Sequence, residues 1–400
     1  MKKTIVRAKY IEKIVPHIGK DIIKVLTGCR RVGKTTILLQ LIDKIKEIDK
    51  KANVIYINKE HNEFAGIRDH QDLFLYVKNK SGNKKNNYVI IDEIQEIAGF
   101  EIALRQLLVK GYDIYCSGSN ANMLSSDIAT NLSGRYIEFR INSLSYSEFL
   151  IFHNLENNNE ALLKYIKYGG LPYLINVSLE DNIVYDYLKS VYNTIILKDV
   201  VARYNVRDVY FLDRLIEYVS DTMGSFVSSK KINDYLKSQG IVMSINTVLN
   251  YLKYLSSSFF IEKVSRYDIV AKKKFEINDK YYFSDIGLKH AVIPYSTADV
   301  GKVFENLVYN KLIQENFDVY VGKYKEFEID FVAKNSTATF YIQVAYMLTN
   351  KNTIEREFGN LLKVNDNYTK YVVTADEILG ENFKGIKHVN IKDFLINKVW

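Results

Sequence analysis

The sequence predicts an α/β fold, and three observations predict it. Over the first 140 residues short β-rich runs alternate with apolar segments of helical period, the pattern of a parallel sheet covered on both faces. A glycine-bounded turn, Gly28 to Thr35, lies between the first such run and the first helical segment. After a purely helical stretch and a basic one, the chain returns to a mixed α/β pattern from about Val300. At 400 residues and 46.4 kDa it exceeds what one hydrophobic core organises, so about two to four domains are expected.

In chain order, the strands of the first part are IIKVL (22–26), NVIYI (53–57), YVIID (88–92), DIYCS (113–117) and RYIEF (135–139). The segments TILLQLIDKI, HQDLFLYVKN and FEIALRQLLV separate them, each with apolar residues at helical spacing. From Ser145 to about Tyr218 the period is helical throughout. A basic stretch from 219 to 283 follows, with two short helices and a β pair, FFIEKV and KKKFEIN. The last part reads as helix VFENLVYNKLIQE, strands DVYVG, EIDFVA and TFYIQVAY, a helix over 355–362, and strand YVVT. No internal repeat is present, which excludes solenoids and propellers.

Composition narrows the class. With 47% hydrophobic and 26% charged residues the chain buries ordinary cores and is not a disordered protein. Only 3 Pro and 19 Gly exclude collagen-like and Pro-rich architectures. Uncharged apolar runs fall short of the roughly 20 residues of a membrane span, and MKKTIVRAKYIEKIV has no apolar signal core, so a cytoplasmic protein with no membrane partner is expected. Cys29 and Cys116 sit in core-like segments and read as reduced, buried thiols. The net charge of +8 is uneven: residues 225–275 hold nine Lys/Arg against three Asp/Glu, and residues 1–50 hold thirteen against five. Such basic surfaces either attract a polyanion, nucleic acid foremost, or are solvated lysine faces.

Gly28-Cys29-Arg30-Arg31-Val32-Gly33-Lys34-Thr35 matches the pattern GxxxxGK[ST] after a strand and at the start of a helix. The glycines let backbone N–H groups wrap phosphates, and the helix N-terminus adds partial positive charge. Lys34 reaches the β/γ phosphates, Thr35 ligates magnesium, and Thr36 continues the loop. The run Tyr88 to Ile91 is a buried central strand whose end delivers Asp92 to hold magnesium. Glu93 then has the place of a general base orienting the attacking water, or of a charge at a helix start. The expected small molecules are ATP and Mg2+.

These residues resemble the AAA+ group of P-loop ATPases. The phrases TGCRRVGKTT, VIIDEIQE, CSGSNANML, LSGRY and SLSYSEFL are similar to one prokaryotic and archaeal family of AAA ATPases. That resemblance implies a following domain of unknown function with a winged helix and a nuclease-like fold. The full fold expectation is a P-loop AAA+ parallel sheet with a helical lid, then a winged helix and a degenerate nuclease-like α/β domain. The expected boundaries are 1–144, 145–218, 219–283 and 284–400.

The resemblance places sensor 1 at the end of the fourth strand, where Ser117, Ser119 or Asn120 would read the γ-phosphate; Ser119 and Asn120 equally suit a helix cap. Arg135 stands where AAA+ proteins carry an arginine finger acting on a neighbour in a homo-oligomer, or it is a strand-edge arginine in an ion pair. Gly169-Gly170-Leu171-Pro172 resembles the GxP motif whose lid proline packs on adenine, and also a plain glycine helix stop. Arg7 and Tyr10 precede the first strand, where the family contacts the base.

In the basic middle part, the second helix begins at Ser244 with Ile245, Val248, Leu249, Leu252 and Leu255 on one face. Ser244, Asn246, Thr247, Asn250 and Lys253 lie opposite and suit a recognition helix in a major groove. Arg266, Lys272, Lys273 and Lys274 near the following turn would form a wing touching phosphates. Such modules also mediate protein contacts.

In the last part Glu305, Glu328-Ile329-Asp330 and Ile342-Gln343-Val344-Ala345 follow the layout of the PD-(D/E)xK nuclease fold. The second carboxylate position is Gln343 and the lysine position is Ala345, so metal affinity and water activation should collapse. Glu305 and Asp330 then read as cap or core hydrogen-bond groups. The expected function is an ATP-hydrolysing switch coupling nucleotide state to double-stranded DNA. The alternatives are an ATP-regulated nuclease and a nucleotide-gated protein-interaction scaffold.

Overall fold

A computed structural model describes residues 5–82, 86–124, 132, 134–240, 243–274, 279–348, 351–377 and 382–397. The chain forms two compact units, residues 1–142 with 257–259, and residues 143–256 with 260–400.

In the first unit, helix α1 (Ala8–Ile14) precedes β1 (Ile23–Thr27), α2 (Lys34–Ile48), β2 (Asn53–Asn58), α3 (His70–Ser81), β3 (Asn87–Asp92), α4 (Phe100–Val109), β4 (Asp113–Gly118) and β5 (Tyr136–Arg140). All five expected strands form, within one residue at either end. They make one parallel sheet in the order β2-β3-β4-β1-β5. The central strands β1, β3 and β4 are buried almost throughout because helices cover both faces. Ile23, Val25, Val89, Ile91, Ile114 and Cys116 pack against Leu73, Leu104 and Leu107 in one core. Both cysteines are buried and outside any disulfide, and burial pushes the Cys116 thiol up to about 12.

All parallel strands point the same way, so one edge of the sheet collects their C-terminal ends. Thr27, Asp92 and Gly118 lie there, with the turn of residues 28–33. At the opposite end the fully buried Lys24 donates to Asp113 and, at 3.0 Å, to the Lys20 carbonyl. Gly19 N–H and the Tyr115 hydroxyl complete the shell of Asp113 Oδ2 at 2.7 and 3.0 Å.

The second unit begins with four helices: α5 (Tyr146–His153), α6 (Asn159–Tyr168), α7 (Asp181–Thr194), which runs into a π-helical segment Ile195–Ala202, and α8 (Val209–Asp221). The phrase SLSYSEFL is a capping box. Ser145 Oγ accepts from Glu148 N–H at 3.2 Å and Glu148 Oε2 accepts from Ser145 N–H at 2.9 Å. Helices α9 (Ser229–Ser238) and α10 (Ile245–Ser257) follow, then β6 (Ile261–Val264), β7 (Arg266–Asp268), β8 (Lys273–Lys274) and β9 (Lys280–Phe283). The remainder is α11 (Ile286–Val292), α12 (Val300–Gln314), β10 (Asp318–Tyr324), β11 (Phe327–Lys334), β12 (Thr339–Val344), α13 (Lys351–Lys363), β13 (Thr369–Thr374), β14 (Asn382–Phe383), β15 (Ile386–Asn390) and α14 (Ile391–Ile396). An eight-stranded mixed sheet runs β14-β15-β13-β12-β11-β10-β7-β8.

Two expectations are corrected here. FFIEKV is answered by KYYF and not by KKKFEIN: β6 pairs with β9, while Lys273 and Lys274 pair with β7, which joins β10 in the large sheet. Residues 275–278 of KKKFEIN lie outside the described residues. In α10 the buried stripe is Val248, Tyr251, Leu252 and Leu255, and Ile245 and Leu249 are exposed, 44% and 48%. The Tyr251 ring packs on buried Phe211 of α8 at 5.2 Å, and Tyr254 stacks on Tyr204 at 4.0 Å. These aromatic contacts turn the helix away from the stripe that aliphatic periodicity selects.

Candidate nucleotide site

The phosphate-loop geometry starts from two glycines. Gly28 has φ 144, and a Cβ there would stand 2.1 Å from the Ile141 carbonyl oxygen, so only glycine lets the loop leave β1 beside residue 141. Gly33, at φ 96, precedes α2. Val32 and Cys29 turn inward, Arg31 takes a left-handed conformation (φ 68) at the surface, and Thr36 faces solvent. Arg30 pairs with Glu60 at 3.0 Å. The buried Lys34 ammonium donates to the carbonyls of Gly28 and Cys29, each at 2.9 Å, and so lies across the mouth of its own loop.

Thr35 Oγ1 donates to Asp92 Oδ2 at 2.6 Å, and Ser117 Oγ donates to Asp92 Oδ1. Burial pushes the Asp92 carboxyl up, against the two hydroxyls that lower it. Its neighbour goes the other way. Burial would raise the Glu93 carboxyl, but the Lys34 ammonium, the Gln95 amide, Arg30 and Ser119 together hold it below the usual carboxylate range. Glu93 is thus an ionised acceptor at neutral pH, in a left-handed backbone conformation (φ 55, ψ 51) that a non-glycine residue adopts at a strain of about 1–3 kcal/mol. Ser119 Oγ donates to Glu93 Oε2 at 3.1 Å, and Gln95 Nε2 donates to the same oxygen.

Of the three sensor candidates, Ser117 is tied to Asp92, Ser119 to Glu93, and Asn120 Oδ1 accepts from Asn122 N–H at 2.7 Å in the turn that follows. Gln95 is the residue that sequence reasoning missed. Its amide lies over Gly118, where a Cβ would meet Gln95 Oε1 at 2.4 Å, so the signal was a glycine on another strand.

Arg7 and Tyr10 form a brace. Arg7 is buried, donates to the carbonyls of Val32 (3.1 Å) and Asn142 (2.8 Å), and its guanidinium lies 4.5 Å from the Tyr10 ring centre. Tyr10 Oη accepts from Asn142 N–H at 3.1 Å. Arg135, just before β5, is exposed and has no ion-pair partner among the described residues.

In the second unit Pro172 opens the turn Pro172–Asn176 and is half-buried. The glycines before it have a packing reason. A Cβ on Gly169 would stand 2.1 Å from Asp285 Oδ1, and buried Asp285 accepts from Gly170 N–H at 2.8 Å. Asn246, Asn250 and Lys253 are exposed on α10, as are Lys272, Lys273 and Lys274 at the hairpin. The Lys274 ammonium lies 4.5 Å from the centre of the Tyr320 ring.

A parallel sheet in this order, a GxxxxGKT loop entering a helix, and Asp92-Glu93 at the end of β3, one strand removed from β1, define a P-loop protein of the AAA type. A family profile described as an AAA domain matches residues 20–150, and one described as a domain of unknown function (DUF8612) matches residues 159–299. The chain belongs to the family of an uncharacterized protein of Haemophilus influenzae, to which it is 33% identical over 402 residues covering 99% of both chains. It is 31% identical to an uncharacterized protein of Methanocaldococcus jannaschii, over 97% of this chain and 88% of that one. Its fold is similar to that of a Walker-type ATPase of Pyrococcus abyssi: TM-score 0.51, 16% identity, 72% of this chain and 96% of that one. No described helix is long and apolar enough to cross a membrane.

Proposed function

We propose that this protein hydrolyses ATP and uses its nucleotide state to control binding of duplex DNA. The observation that carries the ATPase reading is the connected set Thr35–Asp92–Ser117 beside Ser119–Glu93–Gln95, directly behind the phosphate loop. Thr35 and Asp92 supply the hard oxygen donors that magnesium prefers and would hold it, and magnesium there would neutralise phosphate charge. Lys34 exchanges its loop carbonyls for phosphate oxygens, and Glu93, kept ionised, takes the proton of the attacking water. In this reading Arg135 is the cation offered to a neighbouring subunit in a homo-oligomer. Lys34→Ala is expected to lose at least ten-fold in ATP affinity, about 1.4 kcal/mol, measured by titration with a fluorescent ATP analogue.

Exposed Asn246, Asn250 and Lys253 on α10 and the hairpin lysines support DNA as the partner. Exposed Ile245 and Leu249 on the same helix favour the second reading, a protein-interaction scaffold. Steady-state ATP turnover with and without duplex DNA separates them. The DNA reading expects stimulation, and it expects the triple change of Lys272, Lys273 and Lys274 to Ala to weaken duplex binding and flatten its salt dependence by up to about 0.9 per lost phosphate contact. Turnover and binding indifferent to DNA would leave the scaffold.

A further inference from the structure

Resemblance to the PD-(D/E)xK fold implies a magnesium held by Glu305, Asp330 and a carboxylate on the next strand. The residues present do not fit it. The position opposite Asp330 is Gln343, whose Oε1 accepts from Asp330 N–H at 3.4 Å, and Asp330 Oδ2 is taken by Val344 N–H at 2.8 Å. Among the described residues no three His, Cys, Asp or Glu side chains converge as metal ligands.

The centre already holds a cation. Lys280, on β9 and 4% exposed at its side chain, donates from Nζ to Glu305 Oε1 at 2.8 Å and to Glu328 Oε1 at 2.7 Å. The Tyr282 hydroxyl donates to the same Glu305 oxygen at 2.5 Å. Thus α12, β11 and β9 each send a charged group to one point. Burial would lower the Lys280 ammonium, but Glu305, Asp330 and Glu328 outweigh it and hold it above its ordinary value. One ammonium thus bridges Glu305 and Glu328 where the nuclease fold would hold a metal.

We propose that the Lys280 ammonium is the resident cation of this carboxylate centre and takes the place that a divalent metal has in the nuclease fold. The ammonium that the sequence lacks at Ala345 is supplied by a strand 65 residues earlier, where it neutralises carboxylates in place of a metal.

The test uses the full chain without nucleotide. Terbium is the probe, because Tyr282, bonded to Glu305, would sensitise its emission. Wild type is expected to give neither tyrosine-sensitised terbium emission nor a magnesium-dependent rise in melting temperature that Glu305→Gln removes. Glu305-dependent emission from wild type would overturn the proposal. Lys280→Met keeps the stem, removes the charge and is expected to melt lower, or not to fold. Adding Glu305→Gln to it removes the uncompensated carboxylate and is expected to restore folding, as Lys280→Arg alone retains it. A Lys280→Met protein as stable as wild type, or one that Glu305→Gln fails to rescue, would also sink the proposal.

Discussion

Glu93→Gln is expected to keep ATP bound and to turn it over about 10²- to 10⁴-fold more slowly than wild type, the usual contribution of a positioned general base. The shape of the side chain is unchanged. Ser119 Oγ and Gln95 Nε2 both donate to one Glu93 oxygen, and a glutamine carbonyl can still accept from them. The left-handed turn and the loop around Lys34 therefore survive, and what is lost is the negative charge that accepts a proton. Single-turnover kinetics beside an ATP titration checks this: unchanged affinity with normal turnover would remove Glu93 from the chemistry.

Asp113→Ala is expected to destabilise the protein by about 3–5 kcal/mol, because it leaves the Lys24 ammonium buried without its counter-charge. Urea unfolding with a constant m-value would measure it. Removing both charges together, as Lys24→Met with Asp113→Leu, is expected to recover most of the loss. The pH dependence has a defined sign. Burial lowers the Lys24 ammonium from its ordinary 10.5, and Asp113 opposes that lowering. In Asp113→Ala the folded value falls further, so the native state binds fewer protons than the unfolded chain from that lowered value up to 10.5, and stability rises with pH across this window. A deficit that stayed constant to pH 10 would mean that Lys24 keeps its proton in the folded variant as it does in wild type, and would refute the further lowering.

Local information made the first unit legible. Five strands with intervening helices, the GxxxxGKT turn and the Asp92-Glu93 strand end are each contained in a few consecutive residues, and their periodicity reports burial directly. What escaped depends on contacts between distant segments. Gln95 reaches Glu93 in a space beside Gly118 of β4, where a Cβ would meet Met123 Sδ at 1.7 Å and Gln95 Oε1 at 2.4 Å. Arg7 looked like a ligand contact and instead ties the loop to residue 142, a partner 135 positions away. In α10 a tyrosine displaced two aliphatic residues from the core, because Tyr251 meets a phenylalanine ring of α8 and aliphatic spacing cannot register that. Nothing near Lys280 in sequence announces its carboxylate partners 25 and 48 residues later.

The attachment of β7 to β10 has a practical consequence for dissecting the molecule. A fragment ending at residue 283 would contain both short helices and the basic hairpin, and would look like a self-sufficient DNA-binding module. It would also strip β7 of its parallel neighbour, exposing the N–H and C=O groups that now pair across Arg266, Tyr267 and Asp268. An unprotected edge strand is a template for aggregation, and lysines beside it would bind nucleic acid through charge alone. The basic hairpin is the edge of a sheet whose other strands all come from the last eighty or so residues of the chain.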